Sequence, residues 1–262
     1  MPFLQSIDYK LFYEFTGVPD APVLVLSNSL GATMAMWDPQ LAEFEKHFRV
    51  LRYDTRGHGK SEVTRGAYTF KQLAQDVITL LDALKVESAN FCGLSMGGLT
   101  GLQLGLDAGE RLMKMVVSSA SAKFGTAEGW AKRIAAVQTG GMKAVAGAVV
   151  ERWFTKEFRE AEPAKVQAMR EMIESISADG YVNCCMALRD ADVRNELGRI
   201  RTETLILSAA QDPASPPADG KFLASGIGGA RYRELNASHL ANVEVAQEYT
   251  RVVLDFLTSG GA

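Results

Sequence analysis

Residues Gly93-Leu94-Ser95-Met96-Gly97 form a G-x-S-x-G pentapeptide between an apolar run and a helical run. In that context a serine held on a sharp strand-to-helix turn presents its hydroxyl above the sheet. The flanking glycines suit the turn, because a Cβ would clash where backbone meets backbone. Serine is a weak nucleophile at neutral pH, so the motif predicts acyl transfer only beside a base, an acid and an oxyanion hole.

The chain has three histidines, and the catalytic base should be one of them. His47 lies near the end of a polar helix face, which indicates a surface position. His58 lies between two glycines in a turn after a strand, which favours a role in shaping that turn over catalysis. His239 follows the last predicted strand, so its loop is expected at the same carboxyl edge of the sheet as Ser95. We therefore predict that His239 activates Ser95.

The acid should follow a strand and fall between Ser95 and His239 in the chain. Leu205-Ile206-Leu207 leads into Gln211-Asp212-Pro213, so Asp212 is the predicted partner that orients the imidazole. An Asp-Pro step is also common in ordinary turns, which is the alternative interpretation. The rival acids lie in helical regions or beside a helix start: Asp190, Asp192 and Asp219.

The oxyanion hole requires two backbone N–H donors, and the chain offers one candidate for each. The residue after the nucleophile, Met96, should provide the first. The second should come from the loop Asn28-Ser29-Leu30-Gly31, which follows an apolar run. We predict Leu30, because Gly31 gives this loop the freedom to turn its backbone toward the site.

Apolar runs alternate with amphipathic segments around these motifs, which predicts a parallel sheet with helices on both faces. Residues 6–15 have the alternation of a half-buried strand or hairpin. The other predicted strands are 23–26, 48–53, 89–92, 114–119, 204–208 and 231–235, and the helices between and after them are 37–47, 69–84, 98–106 and 244–257.

The alternation of strands and helices stops between about residue 124 and residue 199. Only helical patterns occur there, around 130–137, 142–153, 164–175 and 180–191. An all-helical insertion between two strands predicts a lid over the carboxyl edge of the sheet, where ligands bind in such folds. We therefore expect a core formed by 1–123 and 200–262, with a helical cap formed by 124–199.

The composition of the chain limits the partners and the cellular location that we expect. The net charge of -3, without a stripe of basic residues, argues against nucleic acid, and no apolar run approaches the length of a membrane span. The first ten residues lack a basic region followed by an apolar core, so we expect no signal peptide. The three cysteines, Cys92, Cys184 and Cys185, form no disulfide framework and fit a cytoplasmic protein. The histidines lie far from them without ligand spacing, so no metal site is expected.

Several motifs identify a family. The chain resembles the α/β-hydrolase superfamily in Ser27-Asn28-Ser29-Leu30-Gly31, Met36-Trp37-Asp38-Pro39-Gln40, Arg52-Tyr53-Asp54-Thr55-Arg56-Gly57-His58-Gly59 and Gly93-Leu94-Ser95-Met96-Gly97-Gly98. Within it, the insertion is similar to that of the 3-oxoadipate enol-lactonases of the β-ketoadipate pathway, in Glu151-Arg152-Trp153-Phe154-Thr155, in Gly180-Tyr181-Val182-Asn183-Cys184-Cys185 and in Arg189-Asp190-Ala191-Asp192.

The resemblance implies an eight-stranded, mostly parallel sheet and hydrolysis of the enol-lactone to 3-oxoadipate in aromatic catabolism. It implies no metal or organic cofactor, and it carries the triad onto Ser95, Asp212 and His239. Many members of the superfamily have His-Gly where this chain has Asn28-Ser29. The members closest to the enol-lactonases also have Asn-Ser there, so this departure favours the narrower resemblance.

The implied lactone bears a carboxylate, which must be paired when a cap closes over it. An arginine of the insertion would bind it bidentately. Arg133 is the first choice, because it lies one helical turn from Trp130 and both side chains can face one cavity. Trp130 and Trp153 would line the pocket or pack within the cap. The other candidate arginines are Arg152, Arg159, Arg170 and Arg189.

Other functions would use the same residues. A carboxylesterase or C–C bond hydrolase would act on another acyl group, and a cofactor-free haloperoxidase would form a peracid. A non-catalytic receptor for a small molecule is the alternative from a different class, because fold alone does not define function. The expected partner is a small anionic lactone, and no feature of the sequence specifies an oligomeric partner.

Overall fold

The computed structural model describes residues 3–6 and 9–259 and contains one eight-stranded sheet within them. The strands are β1 (Phe3–Gln5), β2 (Lys10–Gly17), β3 (Val23–Ser27), β4 (Arg49–Tyr53), β5 (Ala89–Leu94), β6 (Leu112–Ser118), β7 (Glu203–Ala209) and β8 (Arg231–Leu235). Their order in the sheet is β1-β2-β4-β3-β5-β6-β7-β8. The pairs β1–β2 and β2–β4 are antiparallel and all later pairs are parallel, which confirms the predicted fold class.

Eleven α-helices connect or follow these strands in the described residues. They are α1 (Asp38–Phe44), α2 (Phe70–Ala83), α3 (Met96–Asp107), α4 (Ala127–Gly140), α5 (Lys143–Trp153), α6 (Lys156–Ala161), α7 (Pro163–Ser175), α8 (Ala178–Asp190), α9 (Pro217–Gly226), α10 (Ala241–Glu244) and α11 (Ala246–Thr258). The sequence patterns do not predict three short helices, α6, α9 and α10, as separate elements. Part of the hairpin predicted over 6–15, residues 7 and 8, lies outside the described residues.

The strand order places the helices on both faces of the sheet. The chain moves in one direction from β3 through α1 to β4, and in the opposite direction from β4 through α2 to β5. Because such crossovers are right-handed, α1 and α2 lie on opposite faces. Helix α11 packs against α1, and α3 packs against α2. Buried β3 and β5, with apolar side chains on both faces, form the centre of the core.

Helices α4 to α8 all lie between β6 and β7, and together we call them the insertion. Their boundaries follow local signals. Thr126 caps α4 through the Gly129 N–H, Ser177 caps α8 through the Gly180 N–H, and Pro163 stands at the start of α7. The division into a core of 1–123 and 200–262 and a cap of 124–199 stays a prediction.

Candidate active site

Ser95 lies on the turn between β5 and α3. Its φ of 60° and ψ of -113° are strained for a residue with a side chain. The Ser95 N–H donates to the Ser118 carbonyl of β6 at 2.8 Å, which holds the turn against the next strand. A Cβ on Gly97 would overlap the carbonyl of Ser27, so glycine is required there. The turn brings Ser95 to a cavity of about 260 Å³.

His239 lines the same cavity and is joined to Asp212, which follows β7. The ring Nδ1–H donates to Asp212 Oδ2 at 2.7 Å. This is the only hydrogen bond of the ring within the described residues, so Nε2 has none there and meets the requirement for a base beside Ser95. The carboxylate also accepts from the Ala214 N–H at 2.7 Å and from the Ser215 N–H and hydroxyl at 3.1 and 2.7 Å.

These contacts determine the charge of Asp212. Burial alone would raise its pKa, but the charge and hydrogen bond of His239 outweigh burial, helped by Ser215 and the Ala214 N–H. The net pKa of Asp212 is therefore lowered, and the side chain is a carboxylate at neutral pH. An anion there orients the imidazole and stabilises its protonated form.

The loop of His239 is also bonded to the end of α5. The Ser238 hydroxyl donates to the Arg152 carbonyl at 2.8 Å, and the Leu240 N–H donates to the Trp153 carbonyl at 3.0 Å. These two bonds lie on either side of His239. The insertion is thus tied by its backbone to the loop that bears the candidate base.

Backbone pairing supports Leu30 and Met96 as the two oxyanion donors. From Ser29 to Met34, every N–H except that of Leu30 donates to an acceptor in the described residues. Met96 is the first residue of α3, so its N–H has no partner within the helix. Buried N–H groups are rarely left unpaired without a purpose. Leu30 and Met96 are both buried, and Leu30 lines the cavity.

The insertion forms the opposite wall with two cations and a hydroxyl. Arg133 of α4 and Arg152 of α5 line the cavity, and within the described residues neither makes an ion pair. Burial and the charge of Arg133 both lower the pKa of Arg152. The Tyr181 hydroxyl, on a fully buried side chain, has no hydrogen-bond partner there. Burial raises the pKa of Tyr181, so the group is a neutral donor.

The two predicted tryptophans also lie in this wall. Trp130 and Trp153 both line the cavity and are buried. The Trp130 indole N–H donates to the Phe124 carbonyl at 2.8 Å, so only its ring faces outward for contact. The Arg133 guanidinium carbon lies 4.8 Å from the centre of that ring, a cation–π arrangement that holds the cation in place.

The structure also bears on metal binding, on membrane spans and on the other candidate arginines. Among the described residues no group of three or more His, Cys, Asp and Glu side chains is arranged to hold a metal ion. No helix described for the chain is long and apolar enough to cross a membrane. Arg170 and Arg189 are paired with acids on the surface, and Arg159 donates to backbone carbonyls.

The structure therefore brings the predicted Ser95, His239, Leu30, Trp130 and Arg133 around one cavity, with Asp212 behind His239. Sequence reasoning missed Tyr181 and ranked Arg152 below Arg133. It also gave His58 only a turn-shaping role, whereas Nε2 of this buried ring accepts from the Gly31 N–H at 3.0 Å. Arg152 and Tyr181 both fall in the motifs of the insertion, which was the available signal for them.

Comparison with known proteins defines the class. A family model for the alpha/beta hydrolase fold matches residues 22–245. The chain belongs to the α/β hydrolase family.

Relatives within that family agree on a narrower group. The chain is 42% identical to 3-oxoadipate enol-lactonase 2 of Acinetobacter baylyi, over 95% of this chain and 94% of that one. It is 38% identical to 3-oxoadipate enol-lactonase 1 of the same organism, over 95% and 93%. The crystal structure of the enol-lactonase from Burkholderia xenovorans matches with a TM-score of 0.97 and 45% identity, over 98% and 100% of the two chains. The resemblance to the enol-lactonases is confirmed.

Proposed function

We propose that this chain hydrolyses 3-oxoadipate enol-lactone to 3-oxoadipate by a Ser-His-Asp triad. The observation that carries the proposal is the composition of one cavity, in which Ser95 and His239 face two arginines that make no ion pair with any residue the structure describes. The names of its relatives supply the particular lactone. The enzyme is thus a carboxylic ester hydrolase of aromatic catabolism.

Acylation begins at the lactone carbonyl. Ser95 Oγ forms a bond to the carbonyl carbon while its proton passes to Nε2 of His239. The N–H groups of Leu30 and Met96 bind the oxyanion of the tetrahedral intermediate. The ring C–O bond then breaks, and the enol oxygen takes the proton from Nε2. Because the enol tautomerises to a ketone, the ring does not close again readily.

Deacylation uses the same groups with water as the nucleophile. Water attacks the acyl carbon as His239 takes its proton, and collapse of the second intermediate returns that proton to Ser95 Oγ. The product leaves with a second carboxylate. Asp212 stays ionised throughout, which its lowered pKa favours.

The insertion wall supplies the binding of the carboxylate. A carboxylate between Arg133 and Arg152 would neutralise two nearby positive charges and accept a hydrogen bond from Tyr181. A charge-assisted hydrogen bond between an arginine and a carboxylate contributes about 1.5–3 kcal/mol, and one from a neutral hydroxyl contributes about 1 kcal/mol here. Trp130 and Trp153 complete an apolar surface for the ring of the lactone. The substrate class that fits is a small lactone with a carboxylate.

The cellular location and the partners of the protein are inferred from the sequence alone. A cytoplasmic enzyme without nucleic-acid or membrane partners is the expectation from charge, hydropathy and cysteine content, and it stays a prediction. The core and cap division would assign the triad to the core of 1–123 and 200–262 and the carboxylate site to the cap of 124–199.

The decisive test is an assay of the purified protein on the enol-lactone beside uncharged p-nitrophenyl esters. We expect kcat/KM for the lactone to exceed that for the esters by at least about 100-fold, because two charge-assisted contacts of about 1.5 kcal/mol each together correspond to roughly that factor. A preference for the esters would contradict the lactonase proposal and support a carboxylesterase. Tight binding of the lactone without turnover of either substrate would support a receptor.

A further inference from the structure

The loop that bears the Leu30 N–H is held by a side chain on either side of it. The Ser29 N–H donates to the sulfur of Met36 at 3.3 Å, and the Gly31 N–H donates to Nε2 of His58 at 3.0 Å. These bonds fix the peptide groups before and after the one that carries the Leu30 N–H. Because peptide groups are rigid planes joined only through φ and ψ, holding both neighbours restricts the directions open to the middle N–H. Sulfur is a weak acceptor, so His58 provides the stronger of the two bonds.

His58 is itself buried and held by its surroundings. The residue is only 1% exposed, and its backbone N–H donates to the Thr55 carbonyl at 2.8 Å. Its neighbour Gly57 packs directly on Gly180 of α8, where a Cβ on Gly57 would lie 2.8 Å from the Gly180 Cα. No side chain fits between these backbones, so the turn that contains Gly57 and His58 packs directly against the insertion. The imidazole is therefore a fixed point of attachment for the Gly31 N–H.

The ring has the correct protonation state for this task. Because Nε2 accepts, its proton lies on Nδ1, 3.5 Å from the Arg56 carbonyl. The groups of α8 that face the ring are Tyr181 and Cys184, and burial raises the pKa of both, so neither is charged at neutral pH. Burial also lowers the pKa of His58 to about 4, which keeps Nε2 free of a proton near neutral pH.

We propose that His58 is a positioning residue, whose Nε2 holds the Gly31 N–H and thereby aims the Leu30 N–H at the developing oxyanion. It touches neither the substrate nor the triad. The inference rests on the proposed function only in requiring acyl transfer to Ser95, and it does not depend on which ester or lactone is attacked.

The test compares two amide substitutions that differ in reach. The amide of His58→Gln extends to the position of Nε2, whereas that of His58→Asn ends near Nδ1 and is too short for Gly31. Removing an oxyanion donor costs about 100- to 1000-fold in kcat, so a loosened donor should cost about 10- to 100-fold. We expect that loss of kcat in His58→Asn, with KM within about twofold of wild type, and a loss of about two- to tenfold in His58→Gln.

Both variants are assayed on the enol-lactone and on p-nitrophenyl acetate, with thermal unfolding followed by circular dichroism. Equal kcat for the two variants, or a loss that appears in KM, would overturn the inference. If His58→Asn does not fold, His58→Leu fills a similar volume without an acceptor for the Gly31 N–H, and wild-type kcat in that variant overturns the inference. Failure of the lactone as a substrate would remove the proposed function alone, because the acetate ester still reports on the oxyanion hole.

Discussion

The two walls of the cavity differ in how their polar groups are paired. On the sheet edge, Asp212 accepts four hydrogen bonds and His239 is held by one of them. On the insertion, Arg133 and Arg152 have no ion pair and the Tyr181 hydroxyl has no partner among the described residues. Apart from the oxyanion donors and Nε2 of His239, the sheet edge has its polar groups paired before substrate arrives, and we propose that a bound anion pairs the cations of the insertion.

This difference separates chemistry from recognition. Groups that are preorganised stabilise the transition state without reorganisation when charge develops. Groups that lack partners gain most when a ligand of opposite charge displaces their water. We therefore expect substitutions on the sheet edge to reduce kcat for every substrate, and substitutions on the insertion to reduce kcat/KM only for anionic substrates.

The largest effect is expected for Ser95→Ala. Removal of the nucleophile should reduce kcat by at least about 1000-fold on both the lactone and a p-nitrophenyl ester. The melting temperature should stay at or above that of wild type, because alanine removes only a hydroxyl from a strained turn. Steady-state kinetics and calorimetry measure the two quantities. Addition of His239→Ala should cause little further loss, since the two residues act as a unit; near wild-type turnover in Ser95→Ala would refute the triad.

The next effect is on the free energy of unfolding in acid, and it arises from buried His58 behind the sheet edge. The pKa of His58 is lowered from 6.5 to about 4 by burial. Below pH 6.5 the unfolded chain binds a proton at His58 that the native protein does not bind. Stability should therefore fall as the pH drops from 6.5 to 4, by about 3 kcal/mol at the lower end.

Urea unfolding of the wild type and of His58→Gln between pH 4 and pH 7 isolates this contribution. The difference in unfolding free energy between the two proteins should change with pH by about that amount, in favour of the variant in acid. His47→Gln is the matched control, because His47 is exposed. Parallel pH profiles for wild type and His58→Gln would contradict the prediction.

Arg133→Met tests the insertion wall. Loss of a charge-assisted contact should lower kcat/KM for the lactone by about 10- to 100-fold and leave an uncharged ester unchanged. The melting temperature should not fall, because Arg152 loses a repulsive neighbour. Lys132→Met removes the same charge one residue away, where Lys132 points to solvent beside Glu128, and should alter neither substrate. Equal losses on lactone and ester would place Arg133 in the chemistry instead of in recognition.

The smallest effect is expected for Tyr181→Phe. Loss of one hydroxyl donor should raise KM for the lactone by about three- to tenfold. Stability should be unchanged or higher, since the buried hydroxyl has no hydrogen-bond partner in the part of the chain that the structure describes. Tyr249→Phe is the control, because the Tyr249 hydroxyl lies against Cys92 at 3.5 Å in the core. It should leave KM unchanged, and a wild-type KM in Tyr181→Phe would remove Tyr181 from the carboxylate site.

The sequence predicted the groups that follow from strand order better than those that depend on long-range packing. Each of Ser95, Asp212 and His239 comes after a recognisable strand, and the carboxyl ends of parallel strands converge. Tyr181 and Arg152 lie on amphipathic helices, whose period indicates a buried face without indicating what that face meets. The contact of His58 with Gly31 joins two loops, and no periodic pattern connects them.

The hydrogen bonds from Ser238 and Leu240 to the end of α5 also affect which substrates fit. The carbonyl of Arg152 receives one of them, so the residue whose cation faces the cavity is bonded through its backbone to the neighbour of His239. The backbone of Arg152 is therefore held beside the loop that bears His239. If the proposed carboxylate site is correct, we expect the cavity to select substrates by length, because a lactone whose carboxylate lies one methylene nearer or farther would lose either its ion pair or its alignment with Ser95.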